Sequence, residues 1–289
     1  MPELPEVETI KRGLDKTVSG KKIKVLRVET SFEKKVLPAT DEFCQKLKNK
    51  TIKNVMRRSK LLIFELSDGL KLIVHLKMTG QLVYRPDKLT IVAGGHPIPQ
   101  VETLPNKFTR VEIQFTDKTI LFFNDVRKFG FMKLVDSSGL REELNKYGHE
   151  PLDKAFTLKH FNDLMEKSAR KKIKSFLLEQ KLIAGLGNIY ADESLFAAKI
   201  KPFRLVATLK VAERELLFKS IKKIIRKAIK YRGTTFHDYV NASGQKGNFQ
   251  QHLRVYGRSK LKCLRCRKGI IQKIKLGSRS ASFCPVCQK

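Results

Sequence analysis

Four of the five cysteines of this 289-residue chain lie close to its C-terminal end, and their spacing restricts the local fold more tightly than any other feature. Cys263-Leu264-Arg265-Cys266 and Cys284-Pro285-Val286-Cys287 form two Cys-x-x-Cys knuckles separated by 17 residues, a spacing that matches a tetrahedral structural zinc site. Four thiolates leave no position for water, so one ion held by Cys263, Cys266, Cys284 and Cys287 would be structural rather than catalytic. The competing reading is a pair of redox dithiols or disulfides. Between the knuckles, residues 270–275 and 280–283 flank Gly277-Ser278, which predicts a β-hairpin that the ion would hold rigid. Cys44 stands alone in an amphipathic stretch and reads as a core thiol.

From residue 23 to 135 the pattern is mostly of strands. Leu61-Leu62-Ile63-Phe64-Glu65-Leu66 and Leu70-Lys71-Leu72-Ile73-Val74-His75 are joined through Asp68-Gly69, a hairpin signal. Val111-Glu112-Ile113-Gln114-Phe115 and Thr119-Ile120-Leu121-Phe122-Phe123 repeat it, so this half predicts an antiparallel sandwich or barrel preceded by a helix over residues 5–16. Residues 85–107 hold Pro86, Gly94, Gly95, Pro97, Pro99 and Pro105, too many breakers for an element, and are expected to form a long loop. After Asp136-Ser137-Ser138-Gly139 the chain turns helical. Leu216, Leu217, Ile221, Ile224, Ile225, Ala228 and Ile229 recur at helical spacing with Lys and Arg between them, and Gly233 is the expected cap.

Sixty Lys and Arg against 28 Asp and Glu give a formal charge of +32, the footprint of a polyanion binder. No apolar run approaches the roughly 18–20 residues that a membrane-spanning helix needs. Nor does a Lys/Arg-rich amphipathic segment with an apolar aromatic face stand out, so nucleic acid is favoured over a membrane surface. A generally basic, solvated surface is the plainer alternative. The start lacks a secretory pattern, which predicts a cytoplasmic location.

The N-terminus reads Pro2-Glu3-Leu4-Pro5-Glu6-Val7-Glu8. Removal of Met1 would turn the ring nitrogen of Pro2 into a free secondary amine, and such groups titrate near ~7.7–8.0, leaving a nucleophilic fraction at neutral pH. Glu3, Glu6 and Glu8 could equally complement a helix dipole. Further along, Gly185-Leu186-Gly187-Asn188-Ile189-Tyr190 lies between two helical runs, so that a helix opening at Asn188 would aim N–H groups at a phosphate or simply follow an interhelical turn.

Taken together, the Pro-Glu-Leu-Pro-Glu start, the Gly-Leu-Gly-Asn-Ile-Tyr turn and the terminal cysteines resemble the formamidopyrimidine-DNA glycosylases. The likeness extends to Arg57-Arg58-Ser59-Lys60, His75-Leu76-Lys77-Met78-Thr79-Gly80, Asp125-Val126-Arg127-Lys128-Phe129-Gly130 and Arg279. It implies an α+β fold: an N-terminal antiparallel β-sandwich domain at 1–135, a linker at 136–150, a helix-two-turn-helix domain at 151–250 and a zinc-finger β-hairpin at 251–289. It further implies a monomer that acts on damaged double-stranded DNA, removing 8-oxoguanine and formamidopyrimidines and then cleaving the abasic site.

By the same resemblance Pro2 is the nucleophile, Glu3 the carboxylate that assists at the sugar, and Glu6 a nearby acid supporting the helix. Met78, Arg127 and Phe129 match residues that fill the void left by an extruded nucleotide. Lys60, His75, Asn188 and Arg279 match phosphate contacts. Without the resemblance, Met78 and Phe129 read as packing residues, Lys60 as a solvated charge and His75 as a core histidine. Thr234, Thr235 and the Ser243-Gly244 region match a segment that covers the extruded base.

The 85–107 segment is longer than the family pattern, Phe108-Thr109-Arg110 replaces a histidine-containing stretch, and Lys77 and Lys128 add charge. The alternatives are an endonuclease VIII-type enzyme directed at oxidised pyrimidines and a non-catalytic zinc protein that binds nucleic acid through charge. With on the order of six phosphates neutralised, the logarithm of DNA affinity should fall against the logarithm of salt with a slope near about −5. A flat titration by fluorescence anisotropy would remove the phosphate clamp.

Overall fold

A computed structural model describes residues 1–86, 92–95, 103–234 and 248–289. The chain forms two compact units, one of residues 1–145 with 231–248, the other of 146–230 with 249–289.

The first unit begins with helix α1 (Leu4–Val18), whose Val7, Ile10, Leu14 and Val18 recur at helical spacing and enter the core. Pro5 sits in the first turn, where its missing N–H costs no helical hydrogen bond. Strands β1 (Ile23–Val28) and β2 (Val36–Leu37), helix α2 (Thr40–Leu47), and strands β3 (Ile52–Arg58), β4 (Leu61–Leu66), β5 (Lys71–His75), β6 (Gly80–Arg85), β7 (Val92–Gly95), β8 (Thr109–Phe115), β9 (Ile120–Asp125) and β10 (Phe131–Val135) follow. They form two five-stranded sheets, in the orders β1-β8-β9-β6-β7 and β2-β10-β5-β4-β3. Leu62, Phe64, Leu72 and Val74 from one sheet and Ile113, Phe115, Leu121 and Phe123 from the other share one core, which makes the pair a sandwich. Every pairing is antiparallel except the short one between β2 and β10.

The Asp68-Gly69 hairpin forms as expected, with Gly69 at φ +86° and the Leu70 N–H donating to Asp68 Oδ1. The expectation of an element-free loop over 85–107 is corrected by β7, which pairs with β6 from Gln81 opposite Gly95 to Tyr84 opposite Val92. An edge strand can be recruited through backbone hydrogen bonds alone, so two glycines do not prevent it. Residues 87–91 and 96–102 of that segment lie outside the described residues. The stretch read as a linker carries helix α3 (Ser137–Leu144), capped by Asp136, whose carboxylate accepts from the Gly139 N–H at 2.8 Å.

In the second unit, α4 (Leu158–Glu166), α5 (Ile173–Leu178), α6 (Asn188–Ala197) and α7 (Val211–Lys230) surround Phe156, Phe161, Phe176 and Phe218, whose rings meet at centroid distances of 5.5–5.8 Å. Helix α7 buries Leu217, Ile221, Ile225 and Ala228, whereas Leu216 is exposed, so the apolar stripe is narrower than its sequence implied. Strands β11 (Gln272–Leu276) and β12 (Arg279–Phe283) form the expected hairpin, turning at Gly277 with φ +63°.

Candidate active site and metal centre

At the N-terminus of α1 the chain builds a carboxylate clasp. Glu6 Oε2 accepts from the Glu3 N–H at 2.9 Å, while its Oε1 accepts from the Thr234 N–H at 2.8 Å and the Thr234 hydroxyl at 3.1 Å. Gly233 lies so close that a Cβ there would stand 2.6 Å from Glu6 Oε1, and its φ of +76° also favours glycine. Both Glu3 and Glu6 are buried, whereas Pro2 is half-buried and Met1 exposed. Glu6 thus holds the start of α1 to Thr234, and the Glu3 side chain in turn accepts from the Glu6 N–H in a capping box. Thr235, Ser243 and Gly244 lie outside the described residues.

One turn along α1, Glu8 accepts from Arg57 Nε at 2.9 Å and Arg12 Nε at 2.8 Å. Burial raises the Glu8 carboxyl, but the two guanidiniums outweigh it and hold the group below the usual carboxylate range. Arg57 also donates to the Ser59 carbonyl at 2.9 Å, fixing the β3–β4 turn in which Ser59 takes φ +56° and Lys60 is buried. That turn leads directly to a histidine, because Leu61 pairs with His75 across β4 and β5, and His75 pairs in turn with Phe131 of β10.

His75 is itself buried, and its Nδ1 accepts from the Lys77 N–H at 3.0 Å. Burial, reinforced by the charges of Lys77 and Lys60, pulls the imidazole down to about 3. It is therefore neutral at physiological pH, with its proton on Nε2 as a permanent donor.

Met78 follows in the turn before β6, and Arg127 and Phe129 occupy the turn between β9 and β10. Phe129 is 47% exposed, and the Arg127 guanidinium lies 4.4 Å from its ring centroid. Lys60, His75, Met78, Arg127 and Phe129 thus gather at one end of the paired sheets. An exposed aromatic ring carrying a cation is a poor core residue and a good base-stacking wedge.

In the second unit, α6 opens at Asn188 after Gly187, and Gln180 braces the preceding turn by accepting from the Gly185 N–H at 3.0 Å and donating to the Leu186 carbonyl at 2.8 Å. Gly185 itself takes φ +90°. The positive end of the α6 dipole lies at Asn188. Arg279 stands exposed at the start of β12, opposite Leu276.

Sequence reasoning passed over the polar groups that hold this hairpin in place. Lys174 donates to Asp192 at 2.5 Å and to the Ser280 carbonyl, the other Asp192 oxygen accepts from the Ser282 N–H at 2.9 Å, and both charged side chains are 1% exposed. Burial pushes Asp192 up to about 6 against the pull of Lys174 and the Ser282 N–H. Glu193 accepts from the N–H groups of Arg254, Val255 and Tyr256. Removing one partner of such a buried pair costs ~3–5 kcal/mol. The available signal was Asp192-Glu193-Ser194 between apolar residues, on a helix with no solvent face.

The four cysteine sulfurs converge, all within 4.8 Å of one another, with Cys263 to Cys287 at 3.7 Å and Cys266 to Cys284 at 3.8 Å. A tetrahedron with zinc–sulfur bonds of ~2.3 Å has edges of about 3.8 Å, so the donor set fits the metal. Backbone N–H groups of Arg265, Gly269 and Cys287 point at Cys263, Cys266 and Cys284 respectively, an arrangement that supports thiolate charge. A Cβ on Gly269 would meet Cys284 Sγ at 2.7 Å.

Three family models match the chain: the formamidopyrimidine-DNA glycosylase N-terminal domain over residues 1–132, its H2TH domain over 147–240, and the zinc finger found in FPG and IleRS over 260–289. The formamidopyrimidine-DNA glycosylases of Pelotomaculum thermopropionicum and Ligilactobacillus salivarius are 40% and 42% identical, covering 100% of this chain and 99% of theirs. A solved complex between Lactococcus lactis Fpg and DNA containing an abasic site superposes with a TM-score of 0.88 at 38% identity, covering 99% of both chains. A mutant of that protein bound to Fapy-dG-containing DNA gives a TM-score of 0.87 at 37% identity over 100% of both chains. The chain belongs to the formamidopyrimidine-DNA glycosylase family. Cys263, Cys266, Cys284 and Cys287 form one structural zinc site.

Two outcomes follow for these centres. An unfolded histidine protonates near ~6.5, so the stabilisation from neutral His75 is complete above that value and lost as pH falls toward about 3. Nitrogen NMR of the ring should therefore show no protonation from about pH 8 to about pH 5, and a midpoint near ~6.5 would refute the buried neutral state. Stripping zinc with a chelator should expose all four thiols to alkylation and lower hydrogen-exchange protection in β11 and β12. Unchanged protection after removal would contradict a metal-held hairpin.

Proposed function

We propose that this protein is a bifunctional base-excision repair enzyme that removes oxidised purines, 8-oxoguanine and formamidopyrimidines, from double-stranded DNA and then cleaves the abasic site. The observation that carries the reading is the buried clasp at α1, which holds Glu3 and the segment leading from Pro2 in one fixed conformation. In this reading the chain acts as a monomer in the cytoplasm; among the described residues, no helix is long and apolar enough to cross a membrane. Its division into 1–135, 136–150, 151–250 and 251–289 remains our assignment of roles along the chain.

Removal of Met1 frees the Pro2 nitrogen, whose lone pair attacks C1′ of the damaged nucleotide. Glu3 assists proton transfer at the sugar as the bond from C1′ to the base breaks, and the base departs with a proton. The Pro2 nitrogen then loses its proton and expels O4′ from C1′, O4′ takes up a proton as the sugar ring opens, and the iminium so formed acidifies the C2′ proton. Its loss expels the 3′ phosphate, a second elimination expels the 5′ phosphate, and water then hydrolyses the iminium and regenerates the amine. Glu6 keeps the helix start in place.

Lys60, Asn188 and Arg279 contact phosphates as fixed cations and a helix-terminal amide, and His75 does so as a neutral donor. Met78, Arg127 and Phe129 occupy the space of the extruded nucleotide, at a cost of a few kcal/mol of lost stacking that the wedge offsets. Zinc, when bound, supplies rigidity to the hairpin that presents Arg279.

Borohydride should reduce the iminium and leave a covalent protein–DNA adduct on duplexes containing 8-oxoguanine or an abasic site. Pro2→Gly should suppress that adduct strongly. Absence of any adduct with protein that binds DNA would leave a zinc protein that only binds, and faster release of thymine glycol than of 8-oxoguanine would place the enzyme in the pyrimidine-directed branch.

A further inference from the structure

The two turns that carry Met78, Arg127 and Phe129 are joined by a carboxylate to which neither the sequence nor the family resemblance assigned a role. Asp125 is fully buried at the end of β9, directly opposite Gly80 at the start of β6. Its Oδ1 accepts from the Thr79 hydroxyl and from the Arg127 N–H at 3.1 Å, and its Oδ2 accepts from the Gly130 N–H at 2.7 Å. The Arg127 N–H is shared with Thr79 Oγ1 at 3.0 Å. One hydroxyl on the Met78 turn and one carboxylate on the Arg127 turn therefore grip the same amide.

Neighbouring constraints point the same way. A Cβ on Gly130 would fall 2.7 Å from Phe123 Cζ and 3.0 Å from Asp125 Oδ2, and one on Gly80 would fall 2.4 Å from the Leu76 carbonyl oxygen. Lys77 and Lys128 take φ of +48° and +55°, a left-handed backbone that needs outside support in residues with side chains. Buried Arg110 donates from Nε to the Asp125 carbonyl at 2.9 Å, so the backbone beneath the clamp is held as well. Phe129 remains exposed at the apex of a turn whose two ends are pinned to a single carboxylate.

We infer that Asp125, with Thr79, is a positioning residue for nucleotide extrusion: it locks the Met78 and Arg127–Phe129 turns into one rigid wedge, so that inserting either inserts both. This rests on the glycosylase reading above. A wedge must hold its shape against the stack only where a stacked, paired nucleotide has to be displaced. Loss of the clamp should therefore slow reaction with a paired lesion while sparing a substrate that offers no stack to open.

The test compares borohydride trapping on an 8-oxoguanine·cytosine duplex and on a single-stranded oligonucleotide with an abasic site, alongside 2-aminopurine fluorescence next to the duplex lesion. Asp125→Asn places an amide donor against the donors that the carboxylate accepted from. Thr79→Val removes the bridging hydroxyl with a smaller perturbation, and Thr79→Ser restores it. In Asp125→Asn and Thr79→Val the duplex rate and the fluorescence rise should slow on the order of tenfold, as the loss of a buried charge-assisted hydrogen bond implies, with single-strand trapping within about twofold and Thr79→Ser close to wild type. Equal losses on both substrates, or no loss on the duplex in Thr79→Val, would overturn the assignment. Failure of the wild-type protein to form an adduct on either substrate would instead overturn the glycosylase reading.

Discussion

Three hydrogen bonds to the Glu6 carboxylate set the geometry on which the proposed chemistry rests. A nucleophile at a chain terminus is mobile by default, because terminal residues have few contacts and fray at little cost. Here the Glu3 N–H, the Thr234 N–H and the Thr234 hydroxyl all converge on one buried side chain, and Gly233 lets the backbone approach to a distance that no Cβ would tolerate. Each such bond contributes on the order of 1 kcal/mol. The backbone that follows Pro2 is thereby held, as the proposed attack on a sugar requires.

The second unit meets a comparable demand in another way. A two-stranded hairpin is marginal alone in water. Four thiolates gathered around a metal close one end, while the Lys174–Asp192 pair grips β12 through Ser280 and Ser282 near its middle. Two independent anchors hold the strand from which Arg279 projects. The same economy recurs at Asp125, where one buried carboxylate orders two turns.

What could be read from the sequence was local. The Asp68-Gly69 hairpin, the cysteine knuckles and the helix opening at Asn188 each depend on residues close together in the chain, and each stands where spacing and turn chemistry placed it. Strand β7 was hidden because its pairing uses backbone groups that glycine supplies as well as valine. Helix α3 was hidden because one capping aspartate looks like any loop residue until its acceptor is seen to be used. At the candidate site, Thr234 reaching Glu6, Asp125 reaching Thr79 and Asp192 reaching Ser282 are long-range or cross-element contacts, and a lone acid in an apolar run does not name its partner.

The clasp has a temporal consequence as well. Glu6 and Thr234 are separated by 228 residues, so during synthesis the carboxylate meets its partner only after most of the polypeptide has left the ribosome. At ~5–20 residues per second that interval is roughly 10–50 s, ample time for the sandwich to collapse around α1. The nascent chain therefore passes through a stage in which the sheets exist but the helix start is unclasped.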